Sequence, residues 1–89
     1  FPDGDVWEID AKAYRNPIAL RTKIQNDGGF PSGDYARGYF VIPSEYTVNQ
    51  RNYTAIINRV LKDQKNVECV TLKTLKTAIA KKEVACNDE

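Results

Sequence analysis

The chain has 89 residues, 42% of them apolar, and carries 13 basic against 12 acidic side chains for a net charge of +1. That length allows one domain, residues 1–89, with a core of modest size, and the apolar fraction excludes wholesale disorder. The balanced charge exerts no global pull toward nucleic acid or membrane; no apolar run approaches the roughly 20 residues that cross a bilayer; and histidine, the usual proton shuttle near neutral pH, is missing.

Val6 to Ala11 alternates apolar and polar side chains and is predicted as a short strand, with Trp7 expected as a core anchor. Asn16-Pro17 is a helix start: asparagine caps free amides, and proline at the first helical position gives up an N–H that has no partner anyway. Pro17, Leu20 and Ile24 follow at helical spacing, and Gly28-Gly29 ends the run, so a helix is expected over Pro17 to Asp27. Phe30 to Asp34 is turn-rich. Tyr35 to Ile42 is predicted as a strand whose residues suit a pleated, half-buried surface, with Pro43 at its end.

Two readings compete for the next segment. Tyr53, Ile56, Ile57, Val60 and Leu61 stand at i, i+3, i+4, i+7 and i+8, the period of an amphipathic helix. Alternatively Tyr53 to Lys62 is a strand that turns at Asp63-Gln64-Lys65-Asn66 and returns as Val67 to Lys73, a segment rich in β-branched residues. Lys81 to Cys86 reads as a last short strand.

Charge is uneven along the chain. Acids outnumber bases up to Gln50; beyond it Arg51, Arg59, Lys62, Lys65, Lys73, Lys76, Lys81 and Lys82 face only Asp63, Glu68 and Glu83 before Cys86. A solvated surface is the plain reading, and a basic face that meets phosphates is the functional one. Cys69 and Cys86 are expected to form a disulfide, a staple of about 3 kcal/mol on the loop-entropy picture that suits a small domain; two free thiols are the alternative. With no imidazole and no C-x-x-C, no metal or other cofactor is expected. The start at Phe1 fits a processed mature form, and Asn52-Tyr53-Thr54 is an N-glycosylation pattern.

The order of segments resembles the small fungal guanyl-specific ribonucleases. Phe30-Pro31-Ser32 stands at their Tyr-Pro-His turn, Tyr39-Phe40-Val41-Ile42-Pro43 at the strand ending in proline, Asn58-Arg59-Val60-Leu61 at their Arg-Val-Val strand, and Glu83-Val84-Ala85-Cys86 at the closing strand. The resemblance implies an α+β fold, one α-helix packed on a small antiparallel β-sheet, and it selects the hairpin over the helix for residues 53–73. It also implies that the chemistry is missing: Phe30, Ser32 and Val41 stand where a tyrosine, a histidine and the catalytic glutamate would be, and only Arg59 survives as a phosphate contact. In that respect the chain is similar to the RNase-like effectors associated with haustoria of powdery mildew.

That resemblance implies a secreted, catalytically inactive effector of a plant-pathogenic fungus. It would act as a monomer away from membranes, binding host RNA, a host protein or a plant immune receptor through Arg59, Tyr35, Tyr39, Lys73 and Lys76. Aromatic side chains stack bases while cations hold phosphates; ordinary sheet packing is the plain reading of the two tyrosines. The alternative is a small secreted binding module of another α/β fold, such as an inhibitor or toxin subunit, with a helix at Tyr53 to Leu61. An enzyme is the least expected reading, because Asp34, Glu45 and Glu68 form no recognisable pair.

Overall fold

The computed structural model describes residues 1–87. Its elements are β1 (Trp7–Ala11), α1 (Pro17–Asn26), β2 (Arg37–Ile42), a 3₁₀ turn (Ser44–Thr47), α2 (Tyr53–Val60), β3 (Val67–Thr71) and α3 (Leu72–Asn87). The strands form one sheet in the order β1-β2-β3, and both pairings are parallel. Parallel neighbours need a crossover, supplied here by α1 and then by α2. Two right-handed crossovers that advance in the same direction place both helices on one face of the sheet.

The core follows that layering. Leu20 and Ile24 of α1, with Tyr53 and Ile57 of α2 and Leu61 just beyond it, pack on Phe40, Ile42 and Cys69. On the opposite face Leu75 and Ile79 of α3 pack on Tyr39, Val41 and Val70. Neighbouring residues of β2 therefore point into different cores, and Tyr39 through Ile42 are all buried. Full burial of each such aliphatic or aromatic side chain contributes about 1.5–3 kcal/mol, as an upper estimate.

Local signals act as expected around α1. The Asn16 side chain accepts from the Ile18 N–H at 2.8 Å, and Pro17 opens the helix. Gly28 and Gly29 end it at φ 79° and 94°, with the Gly29 N–H reaching the Ile24 carbonyl at 2.9 Å. Downstream, Gln64 holds the Phe30 backbone from both sides: its side-chain oxygen accepts from the Phe30 N–H at 2.7 Å and its amide donates to the Phe30 carbonyl at 2.9 Å. This seats the Phe30 ring over Gly38, where a Cβ would stand 2.8 Å from it.

The expected α+β fold, one helix on an antiparallel sheet, is not what forms. There are three α-helices among the described residues and every strand pairing is parallel. Tyr53 to Val60 is helical, as its own periodicity indicates, so the hairpin over residues 53–73 does not exist. Val67 to Thr71 is a strand, but it ends where the Thr71 hydroxyl accepts from the Thr74 N–H and starts α3. Lys81 to Cys86, expected as a strand, lies inside that helix. Trp7 is half-buried at the sheet margin, between the rings of Phe1 and Tyr39 at 4.8 and 5.2 Å, and is not a central anchor.

The cysteine pairing is also corrected: Cys69 and Cys86 are both free thiols. Cys69 points from β3 into the core beneath α1 and α2, whereas Cys86 belongs to α3, which covers the other face. The sheet lies between them. Burial, with Glu68 adjacent, pushes the Cys69 thiol up to about 12, which leaves it inert as a nucleophile. A thiol titration without reductant is expected to count Cys86 in the native protein and both cysteines after denaturation; a disulfide would yield none in either state.

Candidate functional site

Strand alternation puts Glu8, Asp10 and Lys12 on one face of β1 and its extension. The register pairs Asp10 with Phe40, so this is the face covered elsewhere by α1 and α2. The Asp10 Oδ2 and Lys12 Nζ lie 3.4 Å apart, with side chains 35% and 22% exposed, so the pair is reachable yet partly desolvated. The Lys12 N–H donates to the Val41 carbonyl at 2.8 Å and carries the alignment one residue past the strand. Beside it, at the carboxyl ends of the strands, Ala11, Ala13, Val41, Pro43 and Leu72 line a hollow of about 220 Å³. Carboxyl ends are where open parallel sheets place their ligands.

A wider cleft of about 640 Å³ lies at the opposite, amino-terminal ends of the strands, between the sheet and the second half of α3. Trp7, Tyr39 and Asn66 contribute to its walls, with Asp5, Arg37, Lys81 and Lys82 supplying the charge. Lys82 is already committed: its ammonium meets Asp3 at 2.6 Å and Asp5 at 2.7 Å. The hydrogen bond from Lys82, helped by the Asp5 backbone N–H, lowers the Asp3 carboxyl from its usual 3.8 to about 2, and Asp3 in turn raises the Lys82 ammonium. Arg37 and Lys81 have no acidic partner among the described residues, so the free charge of the cleft is positive.

The residues expected from sequence to bind RNA or a partner do not converge. Arg59 is exposed in the last turn of α2, on one side of the sheet. Tyr35, on that same side, donates its hydroxyl to the Pro31 carbonyl at 2.8 Å and sets its ring edge-on to Phe30. Tyr39 is buried under α3 and reaches the cleft beside Trp7. Lys73 and Lys76 are exposed on the first turns of α3, with the Lys73 N–H tied to the Ser44 hydroxyl. Phe30 and Val41, assigned by resemblance to a nuclease turn and a catalytic strand position, are core side chains.

Residues 1–85 match the family described as "REase associating with pPIWI_RE". The chain belongs to that family. No curated protein and no solved structure matches it. The family description names neither fungal effectors nor guanyl-specific ribonucleases, and the segment order behind that resemblance needed the hairpin that α2 replaces. Sequence reasoning overlooked both the Asp10–Lys12 pair and Arg37. The i, i+2 spacing of an acid and a base at the end of a predicted strand was the available signal for the first; Arg37 had none, because only the fold brings it near Lys81.

The Asp3–Lys82 contact makes stability depend on acid. A carboxyl whose folded value lies below its unfolded one adds stability above about pH 4 and loses it as pH falls toward about 2. Thermal melts of the wild type and Asp3→Asn are therefore expected to differ near neutrality and to converge at the acid end; curves that stay parallel down to about pH 2 would contradict the contact.

Proposed function

We propose that this chain is a restriction-endonuclease-type module that acts on nucleic-acid phosphodiesters beside a pPIWI_RE protein. The family description supports the pairing with such a partner. The observation that carries the chemistry is the Asp10–Lys12 pair at the carboxyl end of β1. Phosphodiester hydrolysis needs an acceptor for the proton of the attacking water and a positive group on the phosphoryl oxygens. Asp10 offers the first and Lys12 the second, on one strand face with backbone that the Val41 carbonyl holds in register.

Nucleases commonly gather carboxylates around divalent cations. Among the described residues no group of three or more histidine, cysteine or acidic side chains is placed to hold a metal ion. Asp10 is paired with Lys12, and Asp3 and Asp5 are bound to Lys82 at the other end of the strand. These residues do not by themselves make a metal centre, and the contribution of this chain is the acid–base pair.

The expectation of a catalytically inactive protein rests on an overlay in which Phe30, Ser32 and Val41 replace a tyrosine, a histidine and a glutamate. That overlay concerned a different fold, so the missing imidazole does not bear on a carboxylate–lysine pair. The effector reading, with its host partners and secretion, loses the antiparallel scaffold on which it stood. Binding without cleavage remains as a second reading, favoured by the cleft in which Arg37 and Lys81 flank Trp7. Cations there would hold phosphates, beside an indole already packed between Phe1 and Tyr39.

DNA nicking by the chain together with a purified pPIWI_RE protein is expected to fall by about 100-fold or more in Asp10→Asn and in Lys12→Ala, with circular dichroism unchanged. Variants that cut as well as the wild type would sink the nuclease reading. For the cleft, affinity for a single-stranded oligonucleotide is measured against salt. Arg37→Ala and Lys81→Ala are each expected to flatten the log–log slope by about 0.7; identical slopes would mean that no phosphate sits there.

A further inference from the structure

The two edges of the sheet are finished differently. At β3, the backbone of Cys69 turns outward and is met by a side chain: Asn58 of α2 donates to the Cys69 carbonyl at 3.1 Å and accepts from the Cys69 N–H at 2.6 Å. One amide thus covers the middle of that edge, and it explains an asparagine in the middle of an amphipathic helix. At β1 the even-numbered residues face β2: Val6 accepts from the Ala36 N–H, and Lys12 donates to Val41. The odd-numbered residues Trp7, Ile9 and Ala11 turn their N–H and C=O groups outward. Strand β1 pairs with β2 alone, and no hydrogen bond among the described residues meets those outward groups.

Native proteins blunt open edges with proline, lysine, a bulge or a covering side chain. The segment Trp7–Ala11 has no proline, bulge or covering side chain, and its only charges, Glu8 and Asp10, stand on the face away from α3. Its side chains also prepare the edge. On the α3 side Ile9 is 44% and Val6 53% exposed, and with Phe1, Trp7 and Ile79 they line a mainly apolar hollow of about 320 Å³ that Asp5 borders. On the other side stand the exposed Glu8 and the half-exposed Asp10. An occupant that fits must be extended, apolar toward α3 and basic toward Glu8.

We propose that the outer edge of β1 is the docking edge for an extended segment of the pPIWI_RE partner, which adds a fourth strand to the sheet. The proposal rests on the reading that this chain works beside such a protein. Main-chain hydrogen bonds to Trp7, Ile9 and Ala11 provide affinity, and the apolar hollow and Glu8 provide the choice of sequence. A second copy of this chain fits worse. Antiparallel pairing of β1 with itself centred on Ile9 sets Asp10 against Glu8 on both sides, and like charges opposite each other destabilise a strand pair; centred on Asp10 it sets Glu8 against Lys12 but puts Asp10 against Asp10 at the middle of the seam.

The test uses the whole chain and a purified pPIWI_RE protein. Hydrogen exchange at the Trp7, Ile9 and Ala11 amides is expected to slow by about tenfold or more in the complex. Ile9→Pro removes one outward N–H and leaves the bonds to β2, and Ile9→Lys keeps the backbone but places a charge at the hollow. Both are expected to weaken the complex by about tenfold or more, and Ile9→Lys to do so with an unchanged melting temperature. Equal exchange in the free and bound chain, undiminished binding by both variants, or failure of the wild type to bind the partner would each overturn the proposal. So would a wild-type dimer in solution with these amides protected, since a second copy would then own the edge. Asp10→Asn separates this from the nuclease reading: it is expected to bind the partner normally while losing cleavage.

Discussion

The central strand β2 governs this molecule. Tyr39, Phe40, Val41 and Ile42 bury side chains on both faces of a single strand, so the sheet is stable only when apolar layers cover both sides. Helices α1 and α2 close one side and α3 the other. Because each crossover must return the chain to the same end of the sheet before the next strand begins, parallel pairing, helix placement and two-sided burial are one constraint. Replacing one buried residue of β2 with a polar one would leave a buried polar group without a hydrogen bond in the layer that residue faces.

Side chains that look incidental in the sequence hold this arrangement. Gln64 ties the loop after α2 to Phe30, which then sits on the bare backbone of Gly38. The buried Tyr53 hydroxyl donates to the Tyr14 carbonyl, and burial raises it to about 12. Asn58 pairs with the outward backbone of Cys69 on β3. Each converts a contact between distant segments into a defined register. The same geometry leaves the functional groups at the margins: Asp10 and Lys12 at the carboxyl end of β1, Arg37 and Lys81 at the amino end of the sheet, and an open edge along β1.

The antiparallel reading fails for a reason that individual residues show. A strand half-covered in an antiparallel sheet alternates in polarity, whereas Tyr39-Phe40-Val41-Ile42 is apolar without a break, the pattern of a strand buried on both faces. Tyr53 to Leu61 carried a helical period that a resemblance of short motifs overrode, and the period was the better physical evidence, because it reports which face is buried. Residues 81–86 are short and mixed, and their helical state follows from continuity with Leu75 and Ile79, which anchor α3 on the sheet.

Local chemistry alone settled those features that depend on neighbours in the chain. These are the asparagine cap and proline start of α1, its glycine stop, and the strands near residues 7–11, 37–42 and 67–71. Tertiary structure alone decided which face each residue occupies, that Cys69 and Cys86 are kept apart by the sheet, and that Arg37 meets Lys81 across a cleft. It also decided that the middle of one sheet edge is covered by Asn58 while the other edge is open. Caps and turns are short-range and leave their mark in consecutive residues. Strand direction and edge closure depend on where a chain returns after a crossover, and the collective burial of side chains far apart in the sequence sets that return.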